Sequence, residues 1–208
     1  MDLTRASLLR EVLTGTELAT RTSQFAHSLR RFTTRPSGLM LFGPQDDEPW
    51  HLTAHIDDEV TRAGIVDLKP ALVRWAPPPD APPHLSIGLD RLRDVGRGES
   101  LVVVSEQQPR SALLERVHDV RRRGATVFSI DNGDQDLASL SHESLVPGTL
   151  LAPAQIDAFD IDRDEPIAGF EMAQHLVSLA VADDDMTPTG WRARLRAFIE
   201  RVGGDPRD

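Results

Sequence analysis

The sequence predicts a three-layer αβα sandwich around a five-stranded parallel sheet, with extra helices at both ends. Three observations predict it. Short apolar runs bounded by turn residues recur along the chain, at GLMLFG, ALVRWA, LVVVS, TVFSI and SLVP. Amphipathic segments of helical period separate them, and this β–α alternation calls for a parallel sheet covered on both faces. The 208 residues, 39% of them hydrophobic, suit one domain with one core system and terminal additions. The expected divisions are N-terminal helices over 1–36, an α/β core over 38–150, C-terminal helices over 168–203 and a tail at 204–208.

Each element has its own signal. Leu8, Leu9, Val12 and Leu13 cluster as a short first helix, ended near Gly15. Leu18, Phe25, Leu29 and Phe32 then fall on one helical face, and Arg35-Pro36 closes that helix because a residue before proline disfavours the α region. Leu39 to Phe42, flanked by glycines, reads as a buried strand. The loop PQDDEP leads into a helix from Trp50 to Ala63. Ala71 to Ala76 is the second strand, and PPPDAPP at 77–83 is a stiff loop outside any ladder. Residues 85–95 allow a short helix weakened by Gly88.

Leu101 to Ser105 is the third strand. Ser111 is placed as the N-cap of a helix that buries Leu113, Leu114, Val117 and Val120 and stops at Gly124. Thr126 to Ile130 is the fourth strand, Asp134 to Leu140 a short helix, and Ser144 to Pro147 the fifth strand. Residues 148–167 are irregular and Phe170 to Ala182 is helical. A last helix starts at Thr187-Pro188 and presents Trp191, Leu195, Phe198, Ile199 and Val202 before Gly203. Trp50 and Trp75 are expected in the core or an interface.

Charge and composition exclude several functions. The net charge is −10, Lys69 is the only lysine, and no basic stretch offers a surface to nucleic acid. There is no cysteine, hence no disulfide, thiolate-ligated zinc or thiol catalysis. No apolar stretch approaches the roughly 18 residues of a membrane span. The N-terminal residues do not form a secretion signal, so the expected compartment is the cytoplasm.

The junction LVVVSEQQPRSALLERV, residues 101–117, is a strand, a loop and a helix start. Residues 102–147 resemble the second half of a sugar isomerase (SIS) domain: a strand ending in Ser, a polar loop, a helix, then RGATV before the next strand. Residues 38–60 resemble its first half, and HIDDE at 55–59 is similar to the His-x-x-x-Glu of phosphoheptose isomerases. The resemblance spans roughly residues 18–182 in order of elements. It implies a flavodoxin-like αβα sandwich, a dimer or tetramer, and a small phosphorylated sugar bound at the strand C-terminal ends. It places ligand contacts at Ser105 and Ser111, and the loop residues add candidate contacts of their own: the amides of Gln45 and Gln107 and the guanidinium of Arg110. It also implies a catalytic or zinc-binding pair, His55 and Glu59, joined by Glu171 and His175 on the later helix.

The sequence departs from that pattern in its loops. Small residues let backbone N–H groups approach a phosphate. Here the first loop is Pro44-Gln45-Asp46-Asp47-Glu48-Pro49, and Glu106 sits in the second. At 4–6 Å and an effective dielectric near 20, each carboxylate opposes a bound anion by about 3–4 kcal/mol before screening. Ser105 and Ser111 stand six apart rather than five, and Ile167 occupies the position of a further metal ligand, a Gln. Read without the resemblance, His55/Glu59 and Glu171/His175 are ordinary i,i+4 pairs on helix surfaces. Arg121 to Arg123 complement a helix C-terminus, and Asp131-Asn132-Gly133-Asp134 is a turn. The resulting expectation is a non-catalytic ligand-binding or regulatory module with an altered phosphosugar pocket. Its alternative is an aldose–ketose isomerase working through His55, Glu59 and His175 by an enediol.

Overall fold

The structure is a computed structural model that describes residues 17–82, 85–149 and 167–182. The expected helices at Leu8–Leu13 and 187–203, the irregular stretch 150–166 and the tail lie outside the described residues. Five strands form one parallel sheet: β1 (Leu39–Phe42), β2 (Pro70–Leu72), β3 (Ser100–Ser105), β4 (Thr126–Asp131) and β5 (Glu143–Leu145). Their spatial order is β2-β1-β3-β4-β5. Helices α1 (Glu17–Phe32), α2 (Trp50–Ala63), α3 (Asp90–Arg93), α4 (Ser111–Arg122), α5 (Gln135–Leu140) and α6 (Ile167–Val181) cover both faces.

The two-residue period of a strand sorts the core into two halves. Leu39, Leu41, Val102, Val104, Phe128 and Ile130 face α1, α2 and α6. Met40, Phe42, Leu101, Val103 and Val127 face α3, α4 and α5. Both faces of β1 and β3 are buried along their whole length, which is why each reads as an unbroken apolar run. None of the described helices is long and apolar enough to cross a membrane.

Several details differ from the sequence reading, among them β5, which runs Glu143–Leu145 and not Ser144 to Pro147, and Leu114, which is only partly buried. Phe32, placed on the buried face of α1, is 47% exposed at the helix's last residue. β2 is shorter than expected: after Val73 the chain leaves β1, and the Arg74 N–H donates to the Ile87 carbonyl at 2.9 Å. Ser111 is not the N-cap of α4. Arg110 holds that place in an extended conformation, and its carbonyl accepts from the N–H groups of Leu113 and Leu114 at 2.9 and 3.3 Å, so the helix starts one residue early. Of the two places expected for Trp50, the core is excluded: it opens α2 and is 58% exposed.

Candidate functional site

The chain runs from β1 to α2 on one face of the sheet and from β3 to α4 on the other. The loops leaving adjacent parallel strands therefore diverge, and a crevice opens between the C-terminal ends of β1 and β3, the place where open α/β sheets bind ligands. Loop 43–49 forms one bank and loop 105–110 the other.

The first bank is tightly held. Gly43 lets the loop fold back on itself: a Cβ there would stand 2.8 Å from Pro49 Cδ and 2.9 Å from the carbonyls of Asp47 and Val104. Glu48 binds the loop to the end of β2, accepting from Arg74 Nε at 2.7 Å and from the Trp75 backbone N–H at 2.9 Å. The Trp75 indole N–H donates to the Gly43 carbonyl at 2.7 Å, and its ring lies 5.2 Å from that of Phe42 at an interplanar angle of 30°. Trp75 is thus fixed both by a hydrogen bond and by a ring contact. The second bank is held by Ser105, whose hydroxyl donates to the Gln107 carbonyl at 2.8 Å, and by Asn132, whose amide donates to the Glu106 carbonyl at 2.7 Å.

Two cavities adjoin the crevice, and Asp47 and Glu106 line both. A cavity of about 460 Å³ on the α4 side brings together Gln45, Asp46, Trp75, Gln107 and Arg110. A cavity of about 420 Å³ between α2 and α6 brings together His51, His55, Glu171 and His175, with Trp50 at its edge. The sequence-derived ligand residues Gln45, Gln107 and Arg110 therefore share one cavity. Ser105 is buried with its hydroxyl spent on its own loop, and Ser111 lies exposed in the first turn of α4, lining neither cavity.

His55 and His175, 120 residues apart in sequence, do converge: their ring centroids are 4.5 Å apart and the rings meet edge to face at 72°. Glu59 does not join them and instead accepts from Arg62 Nη1 at 2.6 Å along the helix. Zinc held by protein side chains needs three or four convergent donors. Among the described residues no three His, Asp or Glu side chains form a group able to hold a metal ion, so the donor set expected for zinc does not fit.

Electrostatics set the character of the site. Arg110 is the one Arg or Lys among the described residues lining either cavity, and its guanidinium donates to Asp46 at 3.0 Å across the crevice. Glu106 has a carboxylate oxygen buried without a hydrogen-bond partner. Desolvation, then the charges of Asp47 and Glu171, push its pKa above the ordinary 4.5.

His175 shifts the other way. Burial, reinforced by His55 and His51, lowers its pKa from 6.5 to about 4. Over that interval the native chain binds fewer protons than the unfolded one. Its contribution to stability is whole above pH 6.5 and is lost as the pH falls toward 4. We therefore expect His175→Gln to lose less stability than the parent between pH 6.5 and 4, read by urea denaturation across that range. Equal slopes for the two proteins would show that His175 is not the group responsible.

Three parts of this site escape a reading of motifs. Trp75 looks like a core residue, and its only clue is its place after a strand and before three prolines. His51 stands four residues before His55, a spacing visible in the sequence but not part of the His-x-x-x-Glu pattern. Asp46 is legible as an acid, but not as the partner of Arg110, 64 residues away.

No family model matches the sequence, and no curated protein is similar to it in sequence. Solved structures are similar in fold. A candidate sugar-binding protein from Salmonella typhimurium LT2 superposes with a TM-score of 0.56 at 15% identity, over 96% of this chain and 53% of that one. A candidate phosphosugar isomerase from Silicibacter pomeroyi DSS-3 gives 0.51 at 15% identity, over 94% and 54%. The Vibrio vulnificus NanR protein complexed with ManNAc-6P gives 0.52 at 14% identity, over 96% and 67%. This chain spans about half the length of the first two proteins. At these identities the likeness is one of fold, and the five-stranded parallel α/β architecture is shared with phosphosugar-isomerase-like proteins.

Proposed function

We propose that this chain is a non-catalytic, regulatory ligand-binding module that takes a sugar or sugar derivative in the crevice between β1 and β3. One observation carries the reading: Arg110, the cation lining the crevice, is already paired with Asp46, while Asp47 and Glu106 face the same space unneutralised. An isomerase of phosphorylated sugars must grip a dianion, and these loops offer carboxylates where backbone N–H groups would be needed. Support for a sugar as the ligand comes from the fold, which is shared with a protein solved with ManNAc-6P bound. Fold alone does not confer activity, so the site decides between binding and catalysis.

The contact between His55 and His175 favours a second reading, aldose–ketose isomerisation. His175 is unprotonated at neutral pH and is the candidate base, a weak one at a pKa near 4, with His55 packed edge to face against it. One experiment separates the two. Aldoses and ketoses, free and as their phosphates, are incubated with the protein in deuterium oxide and followed by proton NMR. We expect ligand line broadening with no loss of the proton next to the carbonyl. Exchange of that proton by the wild type, abolished in His175→Gln, would replace the regulatory reading with the catalytic one.

A further inference from the structure

Resting on the reading of the crevice as a sugar site, we propose that it takes unphosphorylated sugars and that Asp46 is the residue that sets this specificity. Asp46 acts as an internal counter-anion, occupying Arg110 in the place where a ligand phosphate would otherwise sit.

The argument starts from the pairing. Arg110 and Asp46 come from opposite banks, and their side chains are 78% and 64% exposed. An ion pair this exposed contributes little to stability, so holding the loops together does not account for it. It does set a carboxylate beside the one guanidinium that the described residues bring to this cavity, and an entering phosphate must displace that carboxylate or bear its repulsion. Asp47 and Glu106 line the same cavity, so among the described residues an entering phosphate meets the Arg110–Asp46 ion pair and two further acids.

What remains suits a neutral polyol. Gln45, Gln107 and Gln108 line the cavity with amides that both donate and accept, as hydroxyl groups require. Trp75 supplies an aromatic wall whose position is fixed from behind by Phe42 and the Gly43 carbonyl. A rigid aromatic surface covers the C–H face of a sugar ring at little conformational cost. The cavity, at about 460 Å³, is of the size that binds small organic ligands.

The test is isothermal titration of the full chain with glucose, mannose, fructose and N-acetylmannosamine, each alongside its 6-phosphate. The wild type is expected to bind at least one free sugar, and to bind its phosphate about tenfold more weakly. Asp46→Asn, a surface change that leaves the fold intact by circular dichroism, is expected to move that ratio about tenfold toward the phosphate. Adding Arg110→Gln to Asp46→Asn is expected to cancel the gain. Trp75→Leu is expected to weaken the free sugar about tenfold or more, and Phe42, which stays in place, limits the structural change.

A wild type that prefers the phosphate overturns the inference and leaves the sugar-binding reading intact. A ratio unmoved by Asp46→Asn overturns the role of Asp46. Failure of the whole panel to bind overturns both the inference and the reading beneath it.

Discussion

Phe128→Ala is expected to destabilise the protein by about 3–5 kcal/mol. Phe128 is 1% exposed in the middle of β4, on the face that carries α1 and α6. Its ring meets that of Phe25 edge to face, with centroids 5.4 Å apart at 72°. Truncation removes the buried ring and leaves a cavity between two rigid layers, which relax only partly. A typical domain is stable by about 5–15 kcal/mol, so this one change removes roughly a fifth of it or more. Phe128→Leu keeps most of the volume and should cost markedly less. Phe25→Ala should cost a similar amount to Phe128→Ala, and the double variant less than the sum, since the two rings share one contact worth about 0.5–1.5 kcal/mol. Urea denaturation followed by far-ultraviolet circular dichroism measures all four. A cost below about 1 kcal/mol for Phe128→Ala would mean that α1 does not dock on β4.

The sheet was legible because burial on both faces leaves short apolar runs, and their length and flanking turn residues favour strands over buried helix. Leu39 to Phe42 and Leu101 to Val104 are such runs, Thr126 to Asp131 is broken only by the buried Ser129 before its acidic end, and all three strands stand where they were expected within a residue. β2 was less legible. Its apolar letters continue to Trp75, but the chain turns away at Arg74 to bond the segment at Ile87, a choice made by tertiary contacts and not by the run itself. The start of α4 misled for a related reason. Ser111 has the chemistry of a cap, yet the backbone of Arg110, in an extended conformation, already supplies the first helical acceptor.

The site was legible in parts. Residues four apart on a helix share a face, which places His55 on the cavity side of α2, but the same rule sends Glu59 one turn further, to Arg62. His175 meets His55 only because α6 packs beside α2, a long-range fact with no local signal. The acids of PQDDEP announced an unfavourable place for a phosphate. That one of them, Asp46, would neutralise Arg110 depends on how closely two loops approach, which a sequence does not state.

Gly43→Ala should have the largest effect on the site itself. The new methyl group would lie 2.8–2.9 Å from three atoms, two of them backbone carbonyl oxygens, so no side-chain rotation relieves the overlap. The loop must shift instead, and overpacking of this kind costs about 1–3 kcal/mol. The consequences reach further than the strain. The Gly43 carbonyl is the acceptor that fixes the Trp75 indole, and Glu48, five residues on, holds Arg74 and the Trp75 backbone. Moving the loop releases one wall of the cavity and the acid that occupies Arg110 together. We expect ligand affinity in the crevice to fall by at least about tenfold, as for loss of a central aromatic contact. Gly88→Ala is the matched control: its Cβ would sit at 3.5 and 3.7 Å from the Pro77 ring, ordinary contact distances, and its stability and binding should stay near those of the parent. Denaturation and titration of both variants decide the matter. If Gly43→Ala matches Gly88→Ala in both measurements, the loop does not fold back over the end of β1, and the fixed aromatic wall on which the sugar site depends is lost from the account.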